Sequence, residues 1–599
     1  MPTINKKLSW PGRPDQRTLA PLVKSRASES AEKLRGAYYT PDPIADYLAA
    51  WALAHGPARV LEPCCGDGAF LRAIARRAPV RKHSFVIDAV ELDGPASVIA
   101  KSIGPTLDRA GAVLDVTRSD FFAWLESQPP EARWEAVLGN PPYIRYQYLD
   151  AHQRELANAI CERAGVKLSG RTNAWVPFVV ATAMRLAPGG RLAMVVPTEI
   201  LHVLHADGLR RLLEREMSAV SLVHLSGMVF PGVLQGVVLL LATRRRERTA
   251  ANREDDDGGI AATARFQVVD VQHEAALPAV DALDAHGIAP LQTPTTRLEG
   301  RWMRALLSQS ETALLVRIEQ KNWARPFTDM ARVDIGVVTG ANNFFVVDVA
   351  TLDKYELRDV AIPIIGRSDH AKGITYSPRD HARNAREGQA VHLLQIPAGA
   401  RSSLTAKMRE YLKHGETEKL HTRYKTRIRD PWWVVPYVWV APVAMLKRAH
   451  GFTRLLLNTS GATSTDTVYR IRLAPSHLTR GPDIVFSFIN SLTLLLSELE
   501  GRSYGGGVLE MVPSEIERLR IPLVHPTAAQ FTKLDAMVRA GTPIEEILAF
   551  TDPLILGRHG AGGLAAKSIA TIHGAWQRLR DRRLRVVQTD DDGDDAESG

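Results

Sequence analysis

Asn140-Pro141-Pro142-Tyr143 closes the apolar run AVLG, Ala136 to Gly139. Each proline locks its own φ and pushes the residue before it into an extended shape, so Asn140 and Pro141 are held stiffly. Stiff carbonyl groups are useful where they must point at something fixed. A carboxamide before the prolines and a phenol after them add an acceptor and a flat apolar surface. A Pro-Pro pair after a strand is also a common turn. The neighbouring stretches have to decide between the two.

Three of them carry groups of matching kind. VLEPCCGDGAFL, Val60 to Leu71, reads as a strand, an acidic residue and a tight turn through Gly66 and Gly68, then a helix. Glycine lets a backbone approach a ligand at a helix N-terminus, but the spacing is not GxGxxG, so a pyrophosphate cradle fits poorly. VIDAVELDG ends in Glu91 and Asp93, either placed to accept the two hydroxyls of a ribose. The next run reaches Ser119-Asp120-Phe121-Phe122, where Asp120 is placed to accept from an adenine amine with an aromatic ring lying on the base. All these groups stand at carboxyl ends of expected strands, where open α/β sheets bind ligands. A nucleoside-bearing cofactor without a pyrophosphate suits four such tips.

The elements that must position them are legible as hydrophobic patterns. After Pro43, Ile44, Tyr47, Leu48 and Trp51 share one helical face. From Arg59 to about Ala242, β-rich runs alternate with helix-like segments: ARVLEP, FVIDAVEL, VLDVTRSD, WEAVLGN, RLAMVVP, AVSLVHLSG and GVVLLLA. This alternation predicts an α/β fold with a mainly parallel sheet. NREDDDGGIAATA is acidic and Gly/Ala-rich and is expected to be a surface loop or linker. Beyond about Lys321 short turns and mixed strands dominate, which predicts a second domain of mixed or β-rich type.

Composition bounds the setting. Hydrophobic content of 45% and charged content of 24% over 599 residues describe a globular chain of several domains. Three cysteines, two of them the adjacent Cys64 and Cys65, offer neither a disulfide framework nor metal-ligand spacing, and no metal is expected. Packing is the expected role of Cys64 and Cys65. MPTINKKLSWPGRP has no signal-like apolar core, and the most apolar run, VVLLLA, is too short to span a bilayer. A reducing cytoplasm is the expected compartment, with no membrane partner. The net charge is +9, and the tail from Asp590 to Glu597 holds five Asp and one Glu, so the rest of the chain carries about +15. A basic body of this kind inclines toward a polyanionic partner.

The ordered set resembles the S-adenosylmethionine-dependent N6-adenine DNA methyltransferases of the γ class, which belong to bacterial restriction-modification and related systems. RGAYYTPDPIADYL resembles that family's N-terminal cofactor motif and EPCCGDGAFL its cofactor-binding turn. VELD resembles its ribose-binding strand end, SDFF its adenine-contacting end and NPPY its catalytic motif. VVPTEIL and MVFPGVLQGVVLLL resemble later catalytic motifs. The likeness runs motif by motif from Arg35 to Ala242. It implies a Rossmann-like class I methyltransferase domain with a DNA target-recognition domain behind it. The divisions expected are an N-terminal arm at 1–30, the catalytic domain at 31–320, target recognition at 321–587 and an acidic tail at 588–599.

What the resemblance implies for residues follows from it alone. The Asn140 side-chain oxygen and the Pro141 backbone oxygen accept the two N–H bonds of the target amine, Tyr143 stacks on the flipped base, and Phe230 is the second stacking wall. S-adenosylmethionine is the implied cofactor, with Tyr38 and Thr40 near its methionine end, Glu62 and Gly66 in the turn, Glu91 on the ribose, and Asp120 and Phe121 at the adenine. Asn140 borders the cofactor as well. Double-stranded DNA is the implied partner. A separate restriction endonuclease or defence-system protein is compatible with the resemblance and not required by it. A nuclease fused in the same chain is not expected, since only about 35 residues precede the first motif.

In the second half, Lys413, Lys419, Arg423, Lys425, Arg427 and Arg429 are placed to neutralise phosphates. Trp432 and Trp433 are expected to pack a core rather than stack on bases. TGANNFF and NTSGATSTDTVYR offer Asn, Thr and Ser that suit either base edges or turns. RSYGGGVLEMVPSEIERLRIPL resembles a segment near the end of the family's recognition regions. Other readings stay open at this point: methylation of cytosine N4, of an RNA base or a protein amide, or a DNA-binding subunit with an inactive catalytic half.

Overall fold

The computed structural model describes residues 40–77, 84–170, 172–225, 236–246, 264–271, 276–280, 302–399, 404–504, 507–557, 560 and 562–584. Tyr38, Phe230, the N-terminal arm, the NREDDDGG segment and the acidic tail lie outside them. The chain divides into two compact units, Met1–Val196 with Thr243–Glu247, and Pro197–Ala242 with Arg248–Gly599. This division does not coincide with the boundary expected near residue 320.

Among the described residues, the first unit holds five parallel strands in the order β3-β2-β1-β4-β5. They are β1 (Arg59–Glu62), β2 (Phe85–Glu91), β3 (Ala112–Arg118), β4 (Trp134–Gly139) and β5 (Leu186–Pro197). The central strands are buried on both faces, as expected for parallel strands under helices: Val60, Leu61, Ala136, Val137 and Leu138 are fully inaccessible. The helices are α1 (Asp42–Leu53), α2 (Ala69–Arg77), α3 (Gly94–Lys101), α4 (Gly104–Arg109), α5 (Phe121–Ser127), α6 (Ala151–Arg163) and α7 (Trp175–Met184).

The α1 stripe expected from sequence is the buried one: Ile44 and Leu48 are 0% exposed and Trp51 3%. Burial of each such side chain stabilises by about 1.5–3 kcal/mol. On the rim, Arg76 of α2 donates to Asp46 of α1 at 2.9 Å. Trp134, at the start of β4, is fully buried and donates its indole N–H to Asp88 of β2 at 2.6 Å, so a large apolar body is buried with its polar end satisfied.

The second unit holds β6 (Met217–Leu225), β7 (Val237–Arg244) and β8 (Arg265–Val271), in the order β7-β6-β8, with β6 and β8 parallel. The sequence reading missed β8. Farther along, a five-stranded sheet runs Ala331–Asp334, Val468–Leu473, Val443–Leu446, Leu455–Asn458, Thr375–Tyr376. Smaller sheets of four, three and two strands accompany it. The last described residues are helical. Their helix, Ala566–Leu584, is tied to Ser491–Glu500 by Arg583, whose guanidinium makes two bonds to the Glu498 carboxylate at 2.8 and 2.9 Å. Both side chains are almost fully buried, so removal of either would leave an uncompensated charge. Among the described residues no single helix is long and apolar enough to cross a membrane.

Candidate active site

The strand order of the first unit puts the sequence-predicted tips side by side. Asp120 follows β3, Glu91 ends β2, Glu62 ends β1 and Asn140 follows β4. Neighbouring strands lie about 4.8 Å apart, so three steps from β3 to β4 make about 14 Å. The chain passes from β1 through β2 and β3 and returns to the other side of β1 with β4. That reversal is the switch point at which such sheets leave a crevice.

The turn after β1 closes on itself and on β2. Cys65 N–H donates to the Val90 carbonyl at 3.0 Å and Gly68 N–H to the Cys65 carbonyl at 2.8 Å. Gly66 and Gly68 have φ of 51° and 82°, which a side chain would strain. The Glu91 carboxylate accepts from Gly66 N–H at 2.7 Å with one oxygen and from Asp93 N–H at 2.8 Å with the other. A carboxylate oxygen has two lone pairs, so each oxygen can take a further donor. Asp93 itself caps α3 through Ala96 N–H at 3.3 Å, so backbone donors already engage both candidate ribose carboxylates.

Glu62 is fully buried, and neither carboxyl oxygen has a hydrogen-bond partner among the described residues. Burial, then the nearby Glu91 and Asp67 charges, hold this carboxyl well above the usual range, against the opposing pull of Arg72. Arg72 is engaged elsewhere: it donates to the Asp67 carbonyl at 2.7 Å and pairs with the Asp67 carboxylate at 3.0 Å. A buried acceptor pair of this kind calls for a donor, and a cationic one above all.

Asp120 caps α5, one oxygen accepting from Ala123 N–H at 3.0 Å. Its other oxygen accepts from the Gln153 amide at 2.8 Å. Gln153 is in turn fixed by a capping box with Asp150 at the start of α6. The sequence reading passed over Gln153, although D-x-x-Q ahead of a helical pattern is a capping signal. Phe121, expected on the cofactor's adenine, is 3% exposed and stacks on Phe178 with centroids 5.0 Å apart. One face of its ring is therefore already covered by a neighbour from α7.

At the β4 tip, Asn140 donates its amide N–H to the Thr40 hydroxyl at 3.2 Å. That bond turns the amide so that its oxygen is directed away from Thr40. The Cys64 thiol donates to the Asn140 backbone carbonyl at 3.4 Å, so Cys64 does more than pack. Gly139 admits this closeness: a Cβ there would lie 3.3 Å from the Pro63 ring. Pro141 is buried and Tyr143 half-buried, and enclosure of the phenol, with the Cys64 sulfur beside it, holds its pKa high. No cluster of three or more metal-ligating side chains occurs among the described residues.

In the second unit, Lys413, Lys419, Arg423, Lys425 and Arg427 are exposed, as phosphate contacts need to be. Arg429 departs from the expectation. It is half-buried and donates to the Val338 and Thr339 carbonyls, both at 2.8 Å. Trp433 is 8% exposed within an apolar cluster against which Trp432 also packs, as expected.

The parallel sheet, its switch point and the ligand-ready tips define a class I methyltransferase fold. Residues 22–260 match the N-6 DNA Methylase family and residues 299–556 match the C-terminal domain of Type II methyltransferase M.Eco57I. Both matches, and the relatives below, make the chain similar to the N6-adenine DNA methyltransferases of restriction-modification systems. Type II methyltransferase M.XamI of Xanthomonas campestris pv. amaranthicola is 26% identical over 504 residues, 81% of this chain and 85% of that protein. Type II methyltransferase M.AccI of Acinetobacter calcoaceticus is 23% identical over 496 residues, 80% and 84% of the two chains. A solved DrdV–DNA complex is 11% identical with a TM-score of 0.44, covering 85% of this chain and 57% of that one. Fold and family imply dependence on S-adenosylmethionine.

Proposed function

We propose that the chain methylates the N6 amine of an adenine turned out of duplex DNA, at a site chosen by residues 321–587. The observation that carries this reading is the order of groups along the crevice: Asp120, Glu91, Glu62, Asn140. Asp120 suits an adenine amine, Glu91 a ribose, the unpartnered Glu62 a cationic amino-acid end, and Asn140 the acceptor nucleobase beyond. Thr40, Gly66 and the edge of Phe121 complete the cofactor wall, with Tyr38 ahead of Thr40 in the chain. When bound, S-adenosylmethionine would supply an electrophilic methyl on a sulfonium.

The rest of the chemistry falls to the chain. The adenine amine is a poor nucleophile because its lone pair is delocalised into the ring. The Asn140 side-chain oxygen and the Pro141 carbonyl accept its two N–H bonds, raising electron density on nitrogen and stabilising the positive charge that develops. Neither acceptor is basic enough to keep a proton, so the proton lost from nitrogen passes to solvent. Tyr143 stacks on the extruded base, and Phe230 is the proposed opposite wall. The arm at 1–30 and the tail at 588–599 stand outside both functional domains, 31–320 and 321–587. A separate restriction endonuclease or defence-system protein is compatible with this reading and not required by it.

Sequencing of DNA from cells expressing the chain, by a method that detects modified bases, tests the reading. N6-methyladenine in one fixed motif is the expected outcome. N4-methylcytosine, or unmodified DNA from a folded and cofactor-binding protein, overturns it.

A further inference from the structure

Among the described residues of the second unit, seven large hydrophobic side chains are exposed, and six of them gather on three segments. These are Ile335 and Val338, Tyr424 and Ile428, and Tyr437 and Val440. Two arginines join the segments. Arg470, 5% exposed, donates to the Tyr437 carbonyl and to the Ile335 carbonyl, both at 2.8 Å. Arg429 donates to the Val338 and Thr339 carbonyls from the other side. Gly340 brings the backbone so close to the Tyr424–Ile428 segment that a Cβ there would lie 2.9 Å from that of Lys425.

Tyr437 is the most exposed of the six, at 87%, and has a φ of 57°. A non-glycine residue rarely holds this conformation, and it persists only where the surroundings impose it. Here Arg470 fixes the Tyr437 carbonyl, and the guanidiniums of Arg470 and Arg472 lie 4.8 and 4.4 Å from the Trp439 ring. The tip is thus rigidly mounted with its ring in solvent. Single exposed hydrophobics need no explanation, but a gathered and braced set does.

The surroundings select the occupant. From Lys419 to Arg429 there are five cations and no acid, and Lys419, Arg423, Lys425 and Arg427 are exposed. The Tyr424 ring lies between two of them, 5.4 Å from the Lys425 ammonium and 5.7 Å from the Arg427 guanidinium. The patch sits at the rim of a cleft of about 820 Å³ whose lining includes Val338, Gly340, Asn342, Arg423 and Asp466. An apolar centre with a cationic border matches a DNA groove, where base edges and thymine methyls lie between two phosphate rows. An apolar protein partner would not require that border.

The geometry points to a division of labour: Tyr437, Tyr424 and Ile428 enter a groove of the target duplex and select its sequence, while Lys419, Arg423, Lys425 and Arg427 hold the flanking phosphates. This rests on the reading of residues 321–587 as the DNA-recognition region. It adds which side chains discriminate and which only position.

The test uses the full chain and two fluorescent duplexes, one carrying the motif found by modified-base sequencing and one with it scrambled. Anisotropy titrations across a salt series compare wild type with Tyr437→Gly, Ile428→Ala and the double variant Lys425→Ala/Arg427→Ala. Tyr437→Gly relieves the positive φ, so its melting temperature should match or exceed that of wild type. Its preference for the motif should nevertheless fall about tenfold with an unchanged salt slope, and Ile428→Ala should behave alike. The lysine–arginine variant should weaken both duplexes equally and reduce the log–log salt slope by about 2. If both apolar variants keep the wild-type preference and methylated motif while that slope falls, this inference is overturned and the recognition reading stands. If the slope is unchanged as well, the recognition reading of this surface falls with it.

Discussion

The Asn140 amide nitrogen sits 3.2 Å from the Thr40 hydroxyl, across a hundred residues of chain. Thr40 is expected near the cofactor by resemblance, yet its observed partner is the residue assigned to the target amine. A Thr40→Val substitution keeps the shape and removes that bond. Loss of one orienting hydrogen bond should lower kcat by about tenfold and leave the cofactor dissociation constant within about twofold. Asn140→Ala sets the outer limit, with a loss of about 100-fold or more. Steady-state methylation beside calorimetric cofactor titration separates the outcomes. If the Thr40→Val dissociation constant rises and kcat recovers at saturating cofactor, Thr40 belongs to the cofactor wall instead.

Glu62 should couple cofactor binding to pH. Its carboxyl is held above the ordinary value of 4.5 by burial and by Glu91 and Asp67. Below that ordinary value both folded and unfolded chains are protonated here, and Glu62 costs nothing. As pH rises, the unfolded chain loses the proton first, so stability falls until pH passes the raised folded value. A cationic cofactor end favours the ionised form, so its affinity should strengthen with rising pH over the same window, with proton release on binding. Glu62→Gln should abolish the proton release, weaken cofactor by about tenfold or more, and raise the melting temperature of the cofactor-free protein more at pH 8 than at pH 4.5. Calorimetry in buffers of different ionisation enthalpy reads the proton directly. An unchanged proton count in Glu62→Gln would remove Glu62 from this role.

Asp120 has two jobs that can be pulled apart. It caps α5 through Ala123 N–H, and its second oxygen is presented by Gln153. Asp120→Ala should lose about 1 kcal/mol of stability with the cap and weaken cofactor binding. Asp120→Ser restores a capping hydroxyl and should recover the stability without the affinity. Should Asp120→Ser recover both, the carboxylate has no specific contact with the cofactor.

How much of this was legible in the chain differs by kind. Strands β1 to β7 were, because apolar runs with glycine or acidic ends alternate with helical patterns, and parallel pairing then fixes which tips adjoin. β8 was missed: RFQVVDV follows a polar, acidic stretch that reads as the end of the α/β region. Glu91 and Asp120 could be placed at strand ends, but Gln153 lies 33 residues from Asp120, and nothing local indicates that pairing. Phe121 and Phe122 carry the same residue type in sequence, and which ring faces a ligand depends on Phe178 from another helix. Arg429 reads like its basic neighbours until the Val338 and Thr339 carbonyls are seen beside it.

Base extrusion makes the last prediction. On the proposed reading the adenine amine cannot reach the Asn140 oxygen within a duplex in the geometry transfer needs, and the base leaves the stack. Extrusion costs a few kcal/mol, and stacking on an aromatic wall returns about 1–3 kcal/mol. Tyr143 is held half-buried beside the Cys64 sulfur, three residues from the acceptor amide. With 2-aminopurine at the target position, fluorescence rises when the base unstacks and is quenched again against an aromatic ring. Wild type should give a partial rise at saturating protein. Tyr143→Ala should give a larger rise with slower methylation, while Tyr143→Phe keeps the ring and should resemble wild type in both. Phe230→Ala reports on the opposite wall in the same assay. If Tyr143→Ala matches wild type in signal and rate, the tyrosine is structural. If no motif-bearing duplex changes its emission with wild type, the extrusion step itself is wrong for this chain.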